Sequence, residues 1–132
     1  MEKITRDYVK KHPKYLFLFG DNLKGEGYGG QAKEMRGEPN CHGIPTKINP
    51  SMKEDAFFND NMFIEIIDFY DNIFDMILAG FRAGEYEAIV IPTAGLGTGL
   101  AQLEKRAPKI YNYLLQKIKY LEDEGEDNAN IN

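Results

Sequence analysis

The chain has 132 residues, with 16 Lys and Arg against 21 Asp and Glu, one Cys, no Trp and a formal net charge of −5. That length holds one domain, since domains commonly run about 100–150 residues. Lone Cys41, with only His12 and His42 for company, excludes a disulfide framework and gives no metal-ligand spacing; no metal and no cofactor are expected.

The start, Met1-Glu-Lys-Ile-Thr-Arg-Asp-Tyr8, carries charges where a signal peptide needs an apolar stretch. No run anywhere nears the ~20 apolar residues that span a bilayer, so a soluble, cytoplasmic protein without a membrane partner is expected. A short helix is predicted from Thr5 to Lys11, ended by His12-Pro13 because the residue before proline disfavours helix. Tyr15-Leu-Phe-Leu-Phe19 is a continuous apolar run, the pattern of a strand covered on both faces. It stops at Gly20-Asp21-Asn22. A glycine-rich loop follows, Gly25-Glu-Gly-Tyr-Gly-Gly30, and leads into a helical segment Gln31 to Arg36. After the break Gly37-Glu-Pro-Asn40 comes a short stretch, His42 to Lys47.

The longest predicted helix runs from Met62 to about Ala83. Phe63, Ile66, Ile67, Tyr70, Ile73, Phe74, Ile77, Leu78 and Phe81 recur at three- and four-residue steps, a stripe that belongs to the core. Glu87 to Pro92 reads as a second buried strand, running into Thr93-Ala-Gly-Leu-Gly-Thr-Gly99. A closing helix spans roughly Ala107 to Leu121, with Pro108 in its first turn. Strand and helix alternate, so an α/β fold with a mostly parallel central sheet is predicted for residues 1–121. Residues 122–132 carry five acids and no base; without them the body is formally neutral, so nucleic acid is not an expected partner. That tail lacks the apolar content to offset its ordering entropy, and is expected to be disordered.

Both buried strands end in glycine loops that feed helical segments. In open α/β sheets ligands bind outside the carboxyl ends of the strands, and glycine there lets backbone N–H groups approach phosphate oxygens. Two such loops on adjacent strands could grip a diphosphate from both sides, with Asp21, Asn22, Lys47 and Thr93 converging on it. Gly25 to Gly30 matches G-x-G-x-x-G, but Gly25 lies six residues past Phe19, and the next strand ends in Thr46-Lys47 rather than an acid. An ordinary dinucleotide fold is therefore disfavoured. Neither loop ends in Gly-Lys-Ser/Thr, which excludes a P-loop. The plainer alternatives are tight turns without a ligand, Asx turns at Asp21-Asn22, and a surface lysine at position 47. Cys41 and His42, being adjacent on a strand, face opposite ways and make no dyad. Arg36, Glu38 and Asn40 either line the cleft or satisfy one another, and Tyr28 either stacks on a ligand or faces solvent.

Gly20-Asp21-Asn22 followed by Gly27-Tyr-Gly-Gly-Gln-Ala32 resembles the first ligand loop of macrodomains. Ala88-Ile-Val-Ile-Pro-Thr-Ala-Gly-Leu-Gly-Thr-Gly99 is similar to their second, phosphate-binding loop. Gly43-Ile-Pro-Thr-Lys47, before an insertion and a long helix, resembles most the class that removes terminal ADP-ribose from proteins. The resemblance covers about residues 14 to 121 and implies a small three-layer macrodomain-like sandwich. It implies a protein that binds ADP-ribose, a related nucleotide-diphosphate sugar or an ADP-ribosylated macromolecule, with hydrolysis of an ADP-ribosyl linkage at the distal ribose. A non-catalytic reader or sequestering module is the alternative. Asp21 and Asn22 would face the adenine and distal-ribose ends, and Gly27, Gly29, Gly30 and Gln31 the ribose and diphosphate. Gly95, Leu96, Gly97, Thr98 and Gly99 would wrap the diphosphate, with Thr46 and Thr93 alongside. Lys47 would attack the anomeric carbon, and Asp21 is the candidate acid beside it. The second loop departs from that class: Gly99-Leu-Ala-Gln-Leu103 holds no acid.

Overall fold

The computed structural model describes residues 4–129, and side chains through residue 124. Thr5 caps the first helix, α1 (Arg6–Lys11), its hydroxyl accepting from the Tyr8 amide. Strand β1 (Tyr15–Asn22) runs three residues beyond the apolar stretch, so Gly20, Asp21 and Asn22 are strand rather than turn. The short helix α2 (Ala32–Met35) leads to β2 (Cys41–Lys47). Two 3-10 turns, Glu54–Ala56 and Asp60–Met62, precede α3 (Phe63–Arg82). Strand β3 (Ala88–Val90), a short α4 (Leu103–Arg106) and α5 (Pro108–Ala129) complete the chain.

The three strands form one parallel sheet in the order β2-β1-β3. The fold is α/β, as the alternation predicts. Side chains of β1 alternate between two cores. Phe17 and Phe19 pack with Val9, Ala32 and Met35 of α1 and α2 on one face. Leu16 and Leu18 pack with Ile66, Tyr70, Ile110 and Leu114 of α3 and α5 on the other. A strand buried on both faces must be apolar at consecutive positions, which accounts for the unbroken run. Each fully buried Leu, Ile or Phe here contributes about 1.5–3 kcal/mol.

Two polar contacts set the helical layer. The Asp60 carboxylate accepts from the amides of Lys109 (3.1 Å) and Ile110 (3.2 Å), capping the start of α5. The Tyr70 hydroxyl, fully buried, donates to the Pro45 carbonyl at 2.7 Å and ties α3 to β2. Burial pushes that phenol well above its usual range. Helix α5 does not stop at Leu121: it continues through Ala129, so most of the segment expected to be disordered is helical. Its glutamates favour helix, and Glu124 pairs with Arg82 at the end of α3. Residues 130–132 of the expected tail lie outside the described residues. Among the described residues, no helix is long and apolar enough to cross a membrane.

Tyr70→Phe leaves the Pro45 carbonyl without its donor in a dry interior. It should lower unfolding free energy by about 1–2 kcal/mol, read as a fall in the urea midpoint at unchanged slope.

Candidate functional site

Strand β3 is short. It pairs with β1 only from Tyr15 to Phe17, whereas β2 accompanies β1 as far as Asn22. The upper half of β1 therefore has an open edge on the β3 side. The Phe17 amide donates toward β2, to the Asn40 carbonyl; by alternation the Gly20 amide faces the open edge. Gln31 fills the place of the missing strand. Its Oε1 accepts from Gly20 N–H at 2.7 Å, and its Nε2 donates to the Gly95 carbonyl at 2.8 Å. One side chain thus joins the central strand, the start of α2 and the second glycine loop.

The chain leaves β1 toward the α2 face and leaves β3 toward the α4–α5 face. Loops that diverge in this way open a crevice between neighbouring strands, and a cleft of about 170 Å³ lies there. Both loops line it: Gly27, Gly29 and Gly30 from the first, Gly97, Thr98 and Gly99 from the second. They come within contact of each other. A Cβ built on Gly29 would lie 3.5 Å from Leu100 Cδ1, and one on Gly20 would lie 3.5 Å from the Gly97 nitrogen. Gly97 has φ +76, and a Cβ there would meet Leu103 at 2.9 Å and Thr46 at 3.2 Å. Only glycine fits. The amides of Gly97, Thr98, Gly99 and Leu100, and those of Gly27, Gly29 and Gly30, donate to no protein acceptor among the described residues.

The first loop is held by polar clamps. Arg36 grips the Asp21 carboxylate through both terminal nitrogens, at 2.5 and 3.1 Å. It also donates to the carbonyls of Gly27 (2.7 Å) and Glu26 (3.1 Å). Asp21 further accepts from the Asn22 amide. Room for its carboxylate exists because position 43 is glycine: a Cβ there would fall 2.4 Å from Asp21 Oδ2. Asn22 closes the turn itself, accepting from the Lys24 amide and donating to the Glu26 carbonyl. The Thr46 hydroxyl donates to the Asp21 carbonyl.

Lys47 is no surface lysine. It is 6% exposed and lines the cleft. Its Nζ donates to the Ser51 carbonyl at 2.6 Å, touches Met52 Sδ, and stands 4.7 Å from the centre of the Phe57 ring. Arg106 lies against the same ring at 3.8 Å and is paired with Glu54. No carboxylate lies within ion-pair distance of Lys47 among the described residues. Burial, reinforced by the Arg106 charge, lowers its pKa from the ordinary lysine value. Lys47 thus has no partner charge among the described residues.

Of the site residues predicted from sequence, Asp21, Asn22, Gly27, Gly29, Gly30, Gln31, Thr46, Lys47, Gly97, Thr98 and Gly99 line the cleft. Thr93, Gly95 and Leu96 are not among its lining residues. Leu96 is buried in the α3–α5 core, and Gly95 supplies the carbonyl that Gln31 holds. Sequence reasoning passed over Gly20, Glu26, Pro50, Leu100 and Ala101, and left Arg36 undecided; all line the cleft. Glu38 and Asn40 work elsewhere, Glu38 pairing with Arg6 and Asn40 donating to Val9 and His12 carbonyls. Tyr28 faces solvent. The Cys41 thiol is pushed up to about 11, chiefly by burial and then by Glu38, so it is a poor nucleophile.

A family model described as a family of unknown function, DUF7831, matches residues 1–117. The chain belongs to that family. The matched span contains both glycine loops and Lys47. No curated protein and no solved structure matches the chain.

Two predictions test this geometry. Gln31→Glu keeps the acceptor for Gly20 but turns an ionised oxygen toward the Gly95 carbonyl, which raises the folded-state pKa of the new carboxyl. Below the unfolded value of about 4.3 the protonated acid restores both bonds. The variant should therefore match the parent near pH 4 and lose stability relative to it as pH rises, followed by denaturation at each pH. Lys47→Met removes an uncompensated buried cation. Because the native pKa is depressed, the cost of Lys47 is full below its folded-state pKa and fades as pH climbs from there toward the unfolded lysine value. The variant should have the higher urea midpoint at pH 7, and the advantage should shrink by about pH 10.

Proposed function

We propose that this protein binds ADP-ribose, or a related nucleotide-diphosphate sugar, in the cleft between its two glycine loops. On this reading the domain is a small macrodomain-like sandwich. One observation carries the proposal: two runs of residues whose backbone amides are unengaged line one cleft, together with a buried lysine that has no counter-charge among the described residues. Backbone N–H groups and an ammonium are the donors that suit a diphosphate. The second loop fixes the diphosphate, the first closes over it, and Lys47 stands at the sugar end.

The same arrangement supports hydrolysis of an ADP-ribosyl ester. Neutral Lys47 Nζ attacks C1 of the distal ribose, and the C1–O bond to the modified carboxylate breaks, releasing that carboxylate. The adduct nitrogen gives a proton to water; a second water then adds at C1, transfers a proton back to the nitrogen and expels it as the neutral amine, leaving ADP-ribose. Depressing the lysine pKa enlarges the neutral fraction that can attack. Asp21, the acid considered for this step, is held by Arg36. That observation favours the second reading, a non-catalytic reader or sequestering module that holds the nucleotide without turnover.

Calorimetry with ADP-ribose should give saturable heat, and Lys47→Met should weaken binding about tenfold, or about 1.4 kcal/mol. Absence of heat at millimolar ADP-ribose would overturn the proposal. Release of ADP-ribose from a modified protein by the parent but not by Lys47→Met identifies the hydrolase; binding without release identifies the reader.

A further inference from the structure

The cleft's polar side chains are, with two exceptions, already engaged within the protein. Asp21 is held by Arg36, and both ends of the Asn22 amide close the first loop. Both ends of the Gln31 amide join the strand to the second loop. Thr98 donates its hydroxyl proton to the Ala94 carbonyl. The exceptions are Lys47, which donates at its Nζ to one carbonyl and one sulfur and so keeps a proton free, and Glu26, which is exposed at the rim. No aromatic side chain is among the lining residues.

A nucleobase is recognised by stacking and by side chains that match its donors and acceptors. This wall offers neither. A carboxylate in water, such as Glu26, discriminates little, because water competes for each of its bonds. The remaining donors are main-chain amides and one ammonium, which suit phosphate and sugar oxygens of any nucleotide. Size agrees. The cleft measures about 170 Å³, below the roughly 300–1,000 Å³ of sites that enclose a whole small-molecule ligand. A whole nucleoside-diphosphate sugar is therefore not enclosed, and part of such a ligand lies outside the cleft.

We propose that the cleft recognises the diphosphate-sugar portion of its ligand and does not read the base, so that nucleoside-diphosphate sugars as a class are its ligands. This inference rests on the diphosphate reading above and narrows it. It departs from the adenine contact that the family resemblance implies for Asp21, because that carboxylate is held by Arg36 and Asn22.

The test is calorimetry on the unaltered chain at fixed ionic strength with ADP-ribose, UDP-glucose, inorganic pyrophosphate and adenosine. The expected result is ADP-ribose and UDP-glucose binding within about threefold of each other, detectable pyrophosphate binding and no adenosine binding. ADP-ribose binding more than about tenfold tighter than UDP-glucose would overturn base-independence while leaving the diphosphate site intact, since a site that pairs with a base strongly rejects its analogue. Adenosine binding would overturn it as well. Silence from every phosphate-bearing probe would overturn both this inference and the function on which it rests.

Discussion

The early end of β3 governs the upper part of this molecule. Three paired residues anchor it to β1, after which the central strand continues with one neighbour instead of two. Backbone donors along that open edge need partners, because an unpaired buried N–H costs about as much as a lost hydrogen bond. Gln31 answers one of them and in doing so ties the two glycine loops together. The second loop folds into the remaining space, close enough that Gly97 can carry no side chain. The cleft is the gap that results when a sheet loses a strand and neighbouring loops depart toward opposite faces.

Around that gap the protein distributes charge unevenly. Asp21 and Arg36 neutralise each other while shaping the first loop, and Arg106 leans on Glu54. Lys47 receives no such compensation. A buried ammonium held by a carbonyl and a sulfur is a net cost to folding unless something anionic shares the site. The Phe57 ring softens the cost through its electron-rich face, yet Arg106 occupies the same ring and adds repulsion. A fold that keeps this charge next to unengaged amides has concentrated its donors at one point, which gives the diphosphate reading its physical content.

The elements were largely legible in the sequence because each carries a periodic or continuous apolar pattern. Tyr15 to Phe19 read as a doubly covered strand, and the stripe through Phe63 to Phe81 read as a packed helix. The placement of both glycine loops at one sheet edge followed from strand–loop–helix order alone. Pairing among polar residues did not. Nothing in the spacing of Asp21 and Arg36 announces an ion pair, because the contact depends on β1, α2 and Gly43 being brought together. Within the second loop, sequence marks where the chain bends but not which residues turn inward. Leu96 points into the core and Leu100 over the first loop, although both flank glycines. Past Leu121 composition weighs charge and carries no apolar stripe, so it does not show that an already nucleated helix propagates into glutamate-rich sequence as far as Ala129.

A site assembled from main-chain donors has a particular relation to sequence. Side chains can vary wherever they do not intrude on the backbone path, so the motif is loose, while the positions that exclude a Cβ are strict. Gly97 is strict by two criteria at once, a left-handed φ and contact with Leu103. Gly99 is not, since a Cβ there would meet open space. The looseness of the glycine-loop pattern follows from that: backbone amides are atoms that every residue owns, and only the few positions that exclude a Cβ are constrained. In this cleft the side chains of Gln31 and Arg36 determine the shape, and the backbone amides of the two loops are left without protein acceptors among the described residues.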